Sequence, residues 1–565
     1  MSTHATSPRA RFSSPTVLQV ALCAALGLSA AGLAAAQGQP AAATASTAPA
    51  AAAPAADPRF DILEFEIEGN TVLPVTEVER AVMPFMGERR SIADVEAARE
   101  ALEKRYQQGG YLTVFVDVPE QRVDGGLVRL RVIEGRVERL RVTGARYFDQ
   151  GVIRERVHEL APGRVPDFNE VQRHLAGLSR EERQIQPLLR PGLTPGTVEA
   201  ELKVADQLPA GVSLELNNRH SADTKPLRAS LNLRYDNLWQ REHSIALSLI
   251  TAPEAPKQSK LALLNYSLPL GRGERHQDQL LTSLVWSDSL LEPLGTTTVI
   301  GKGVTLGLRW SRSLQLSDSV HSLSLGGDYK NVRERLQSGD SALSTPLRYL
   351  PLQLSYSGSW FEGRNQTSFS SSFTFAARSI LQRDVDCPGN IGPVDQFECK
   401  RFEADGSFAH WRGDWRTSRS LQALGLPGSL GLRLGWQLAS QPLVSGEQFA
   451  LGGAETVRGY LESEATGDQG LLGSLEWRSS NLGGAKNSLW REASLLAFVD
   501  VGRAYVLWPL PEQASRLPLL GSGLGLRLQA GEKLRAELDL AWPQKPTVRS
   551  PRSEPRLHVR LSAQL

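Results

Sequence analysis

Two short stretches carry residues whose types and spacing could do chemistry. One reads Leu451-Gly-Gly-Ala-Glu-Thr-Val457-Arg458-Gly459-Tyr460. Glycines there flank a single arginine in a long loop, a setting that suits a tight turn presenting a guanidinium. The other reads Phe498-Val-Asp500-Val-Gly502. Period two puts Phe498, Asp500 and Gly502 on one strand face, with Val499 and Val501 on the other. If the valines face lipid, Asp500 must face away from it, because a carboxylate turned to lipid is costly. Gly502 leaves room on that inner face for another backbone to approach. Such a carboxylate invites a cation, and arginine pairs with carboxylates through two parallel bonds. On spacing alone the plainer reading is the default: Arg458 is a solvated loop residue and Asp500 is polar lining.

Enzyme signatures are poor. Gly295 to Gly301-Lys302 resembles a phosphate loop, but the spacing is one residue too long and Gly303 replaces the required hydroxyl residue. There is no G-x-S-x-G elbow. The nine histidines form no H-x-x-x-H pair, and no C-x-x-C spacing occurs. Neither a cofactor nor a metal site is expected. The 63 basic and 61 acidic residues nearly balance, which argues against nucleic acid as a partner.

The elements that must position these stretches follow from the rest of the 565-residue chain, which is long enough for two or more domains. Arg9 and Arg11 precede an apolar run from Val17 to Leu33, and Ala34-Ala35-Ala36 supplies small residues for cleavage. Residues 1–36 therefore read as an export signal. Beyond it no apolar run of about 20 residues is present, so membrane insertion would have to use strands. Residues 37–60, rich in Ala and Pro, read as a linker. Cys23 would leave with the signal. Cys387 and Cys399 remain as an even pair in an oxidising compartment, and a disulfide closing a local loop is expected.

Residues 61–135 and 136–206 read as two small α+β units with the same order, strand-helix-helix-strand-strand. Ser91 with Asp94 marks a helix start, and Ile92, Val95, Leu102 and Tyr106 form its expected apolar face. A repeated small unit suits a binding array better than an enzyme. From residue 207 to 565 helical spacing disappears and period-two alternation takes over. Leu231/Leu233/Tyr235, Val304/Leu306/Leu308/Trp310 and Leu432/Leu434/Trp436/Leu438 are examples. Lipid-out, water-in strands of a transmembrane β-barrel need this pattern. Sixteen strands are expected, the tenth at 402–410, with the long gaps 378–401 and 439–469 on the outside. The 411–429 gap is longer than its place warrants. The final strand alternates to the last residue, Leu565, where such barrels usually end on an aromatic.

These markers together resemble the outer-membrane transporters of two-partner secretion, of the filamentous-haemagglutinin exporter and haemolysin-activator type. Val457-Arg458-Gly459-Tyr460 matches the V-R-G-Y/F loop motif, and Phe498, Asp500 and Gly502 match F-x-D-x-G. Gly109-Gly110-Tyr111, Val118-Pro119-Glu120-Gln121 and Ile133-Glu134-Gly135-Arg136-Val137 resemble the first polypeptide-transport-associated (POTRA) domain of that family. Pro191-Gly192 and Pro195-Gly196 resemble the end of the second.

The resemblance implies a 16-stranded barrel preceded by two POTRA domains, with the loop folded inside and Arg458 paired to Asp500 on the inner wall. It thereby reverses the default set by spacing. It implies a non-enzymatic pore that takes an exoprotein in the periplasm and passes it unfolded to the cell surface. The partner would be an adhesin, a haemolysin or a contact-dependent toxin. Outer-membrane lipid and, during biogenesis, the barrel-assembly machinery are further partners, and the pore would work as a monomer. Some members carry an N-terminal plug helix, for which the Ala/Pro-rich stretch is poor material. The rival readings are a barrel-assembly or lipid-handling factor of the same superfamily and, from another class, a passive diffusion porin.

Overall fold

In the computed structural model the described residues are 59–565, apart from 223, 273–275, 295–296, 339–340, 382, 388–391, 484–489 and 553. The expected signal and nearly all of the expected linker lie outside them, as does Gly295 of the phosphate-loop look-alike.

The first αβ unit contains β1 (Phe60–Ile62), β2 (Glu64–Glu68), α1 (Val75–Val82), β3 (Gly87–Arg90), α2 (Ile92–Gln108), β4 (Val114–Asp117) and β5 (Leu127–Glu134). Its sheet order is β2-β5-β4, with β2 and β5 parallel. The small β1–β3 sheet was not evident in the sequence. The helix α2 starts where the Asp94 carboxylate accepts the Ser91 N–H at 2.8 Å, satisfying one of the unpaired donors of the first turn. It buries Val95, Ala98, Leu102 and Tyr106. Ile92, expected on that face, stays exposed. Leu102 is fully buried, which is worth about 1.5–3 kcal/mol.

The second unit repeats the plan with β6 (Arg136–Thr143), α3 (Gln150–Arg156), α4 (Phe168–Leu178), β7 (Arg183–Pro191) and β8 (Thr197–Asp206). Its sheet order is β6-β8-β7. Asp149 and Asp167 cap its helices, accepting the N–H groups of Val152 (2.9 Å) and Asn169 (2.8 Å).

The remaining chain closes a 16-stranded antiparallel barrel. Its strands are Ala210–Asn217, Arg228–Leu238, His243–Thr251, Ser259–Arg272, His276–Leu294, Thr297–Gln315, Ser319–Ser338, a divided eighth over Ser341–Tyr349 and Leu352–Glu362, Asn365–Phe375, Ala409–Ser420, Ser429–Ala439, Gln469–Arg478, Trp490–Tyr505, Arg516–Ala530, Leu534–Pro543 and Arg556–Gln564. The eighth divides at Leu350-Pro351 because proline has no N–H for the ladder. The Pro351 carbonyl instead accepts the Asp328 N–H at 3.0 Å. Alternation sorts the two faces. In strand thirteen Val499 and Val501 are 48% and 52% exposed on the outer wall, while Phe498 and Asp500 are 3% and 0% exposed inside. Inward ion pairs cross neighbouring strands, among them Arg309–Asp328 (2.8 Å) and Arg527–Asp539 (2.6 Å).

Strand ten lies at Ala409–Ser420, not at 402–410. It fills the gap that had been too long. Trp411, Gly413 and Trp415 alternate there with Arg412, Asp414 and Arg416, and the dense charges hid an outer face of two tryptophans and one glycine.

Candidate functional site

The αβ units sit at the barrel end that carries the turn between strands two and three, where Gln240 accepts the Asp149 N–H at 3.0 Å. Loops after odd strands lie at the other end, because neighbouring strands run antiparallel. The loop after strand eleven starts there and folds inward. It is held partly by an apolar cluster: Phe449, Leu451, Val457 and Tyr460 pack with Leu472, Ala504 and Leu519 of the wall.

The loop's tip brings Arg458 to Asp500. Arg458 Nε donates to Asp500 Oδ2 at 2.7 Å, its terminal nitrogen to Oδ1 at 3.0 Å, and its backbone N–H to Oδ2 at 3.1 Å. Both residues are buried. The guanidinium also lies 3.4 Å from the Phe498 ring centroid, a cation–π contact strengthened by desolvation. Val457 is fully buried. The Gly459 N–H donates to His558 Nε2 at 3.1 Å. The Tyr460 hydroxyl donates to the Lys545 carbonyl at 2.7 Å and accepts the Leu520 N–H at 3.2 Å. Gly459 has φ +98°, a left-handed conformation that L side chains rarely adopt.

Gly502 admits side chains rather than backbone. A Cβ there would lie 2.8 Å from Val457 and 3.0 Å from Leu451. The close backbone approach occurs on the next strand, where an added Cβ at Gly521 would meet the Arg458 carbonyl. Gly521, Gly523 and Gly525 recur at period two, a sequence signal that could have marked this track.

Sequence reasoning also missed the other acidic partners of Arg458. Glu476 lies 3.0 Å and Asp539 3.8 Å from it, and Ser474 donates to Asp500 at 2.6 Å. A second arginine ties the loop elsewhere: Arg219, just after strand one, bridges Glu462 (3.0 Å) and Glu455 (3.2 Å). Cys387 and Cys399 form a disulfide in the loop after strand nine, with Cα atoms 5.6 Å apart.

At the opposite end the turn of strands two and three inserts Glu242 into the second αβ unit. Its carboxylate accepts from Arg156 (3.0 Å), Arg180 (2.8 Å) and Arg183 (2.9 Å). Burial pushes the Glu242 carboxyl up, but Arg180, the Arg183 hydrogen bond and Arg156 together hold it below its ordinary value. Among the described residues no group of three or more His, Cys, Asp or Glu side chains could hold a metal ion.

Comparison with known proteins decides what these parts belong to. Residues 60–135 match the family described as POTRA domain, ShlB-type. Residues 390–528, which span both the loop and strand thirteen, match the family described as haemolysin secretion/activation protein ShlB/FhaC/HecB. Over both matched stretches the chain resembles the two-partner secretion transporters. It is therefore not an enzyme but an outer-membrane pore for a secreted exoprotein, with its POTRA end in the periplasm. The transporter is 22% identical over 504 residues to the outer membrane transporter CdiB of Dickeya dadantii (strain 3937), covering 86% of this chain and 83% of that one. A shorter match to CdiB of Escherichia coli O6:K15:H31 (strain 536 / UPEC), 24% identical over 168 residues, spans 30% of this chain and 28% of the relative. In fold it is similar to the solved structure of CdiB from Escherichia coli, with TM-score 0.53, 17% identity and coverage of 92% and 93%.

Proposed function

We propose that the transporter takes an extended segment of its exoprotein at the sheet edges of its two αβ units, both acting as POTRA domains, and threads it unfolded through the barrel. Arg458 and Asp500 hold the inward loop in the position that export requires. The observation that carries this reading is the buried, two-pronged pair between a loop tip and the inner wall. A diffusion porin has no need of such a pair, nor of paired αβ units at its periplasmic mouth. Edge strands suit strand addition, and each sheet has two: β6 and β7 flank β8, and β2 and β4 flank β5. Folding of the partner outside the cell supplies the forward drive. The exoprotein is of the adhesin, haemolysin or contact-dependent toxin type. Outer-membrane lipid surrounds the barrel, the assembly machinery inserts it, and it works as a monomer.

The test is secretion at matched barrel abundance. Removing Arg458 leaves Asp500 buried without its cation, a loss of about 3–5 kcal/mol at the loop tip. Arg458→Ala is expected to cut secreted partner at least tenfold. Unchanged secretion would sink the proposal.

A further inference from the structure

Besides Arg458 and the Arg219 bridge near its tip, the same loop has a charged attachment on its descending limb and on another sector of the wall. The chain makes a short 3-10 turn at Ser445–Glu447 before the loop dips to its tip. Glu447 is 5% exposed. Lys330 of strand seven donates to its carboxylate at 2.5 Å and Tyr349 of strand eight at 2.7 Å, while His410 Nε2 of strand ten lies at 3.2 Å. The Glu447 carbonyl is held as well, accepting from Gln437 of strand eleven at 3.0 Å. This is the Arg458 arrangement with its charges reversed: here the loop supplies the anion and the wall supplies the cation.

We propose that Glu447 is a second positioning residue for export, clamped by Lys330, Tyr349 and His410 so that the descending limb stays against strands seven to ten while Arg458 holds the tip against strands twelve to fifteen. The proposal rests on the reading that the inward loop must be held for export. Its physical basis is the asymmetry of buried charges. A desolvated carboxylate with its partners in place is stable, and moving it away would strip Lys330 and His410, both largely buried, of their shared anion. The limb therefore has one favoured seat. Anchors on different wall sectors fix the direction in which the loop crosses the lumen, which the Arg458 and Arg219 contacts near the tip do not do for the limb. With the Glu447 anchor removed, the limb pivots about the tip contacts and the lumen is no longer reproducibly filled.

The experiment uses the full-length transporter, measured for secreted partner per folded barrel in cells and for channel openings in planar bilayers. Heat-modifiable mobility reports the amount of folded barrel. Glu447→Gln keeps the side-chain shape and removes the charge. Lys330→Met removes the cation, and Lys330→Arg restores it. Loss of one charge-assisted contact changes the occupancy of the seated limb by about tenfold. Glu447→Gln and Lys330→Met are therefore expected to open about ten times as often and to export about ten times less, with Lys330→Arg close to the parent. Both variants at parental levels of opening and export, with barrels folded, would overturn the proposal. If Glu447→Gln barrels fail to fold, Lys330→Met decides alone. Arg458→Ala measured alongside separates the two readings. If it also exports normally, the holding function itself is wrong. If it alone fails to export, only the Glu447 anchor is wrong.

Discussion

Replacing Glu242 with alanine tests whether the second αβ unit is fixed to the barrel. The Glu242 side chain is 5% exposed and Arg183 is 2% exposed, whereas Arg156 and Arg180 are 39% and 33% exposed. The two outer arginines can turn back to water, so each of their pairs is worth at most about 1 kcal/mol. Arg183 cannot. It keeps its bond to the Leu178 carbonyl (2.7 Å) and its place over the Phe148 ring (4.5 Å), but loses the one anion it pairs with among the described residues. Breaking a buried pair on one side costs about 3–5 kcal/mol, and the contacts Arg183 retains place the loss near the lower end. About 3 kcal/mol is more than a hundredfold in the ratio of docked to undocked unit. Spin labels on α4 and on the barrel rim would read this as a distance distribution by pulsed electron resonance. The parent is expected to give one narrow distance and Glu242→Ala a broad one. A pH series checks the electrostatic origin. Glu242 titrates below its ordinary value of 4.5 in the folded state. Its contribution is therefore complete above pH 4.5 and is lost as pH falls through the depressed folded value. The parent should hold its narrow distance at pH 7 and pH 5 and broaden only in stronger acid. A narrow distribution in Glu242→Ala at pH 7 would refute the reasoning.

The disulfide and the glycine track give two further outcomes. Replacing Cys387 and Cys399 together with alanine removes a 12-residue closure worth about 3 kcal/mol to its own loop. Faster protease cleavage within residues 376–408 is expected, with heat-modifiable barrel mobility unchanged. Gly521→Ala puts a Cβ against the Arg458 carbonyl, so secretion should fall as far as in Arg458→Ala. Gly431→Ala, where a Cβ has its nearest contact at 3.6 Å, should secrete normally.

What could be read from the sequence follows from the range of each interaction. Strand faces are local, because Val499 and Val501 differ from Phe498 and Asp500 in type at period two, and a lipid-facing wall enforces that alternation over every strand. Strand ten escaped because Arg412, Asp414 and Arg416 dominate a segment whose outer face is carried by only two tryptophans. The β1–β3 pair escaped because three- and four-residue strands carry too few alternations to register. Arg458 and Asp500 stood out because each sits in a distinctive local setting, one between glycines and the other between valines. Glu447 has no such setting. Its partners Lys330, Tyr349 and His410 are 117, 98 and 37 residues away, and only barrel closure brings strands seven, eight and ten around one carboxylate. Glu242 is hidden for the same reason, since its three arginines belong to a separate unit. The two kinds of contact therefore divide the work. Local pattern builds the wall, and charges scattered along the chain fix what the wall holds. Of the charged attachments that hold the inward loop, only the one at Arg458 is written as a motif.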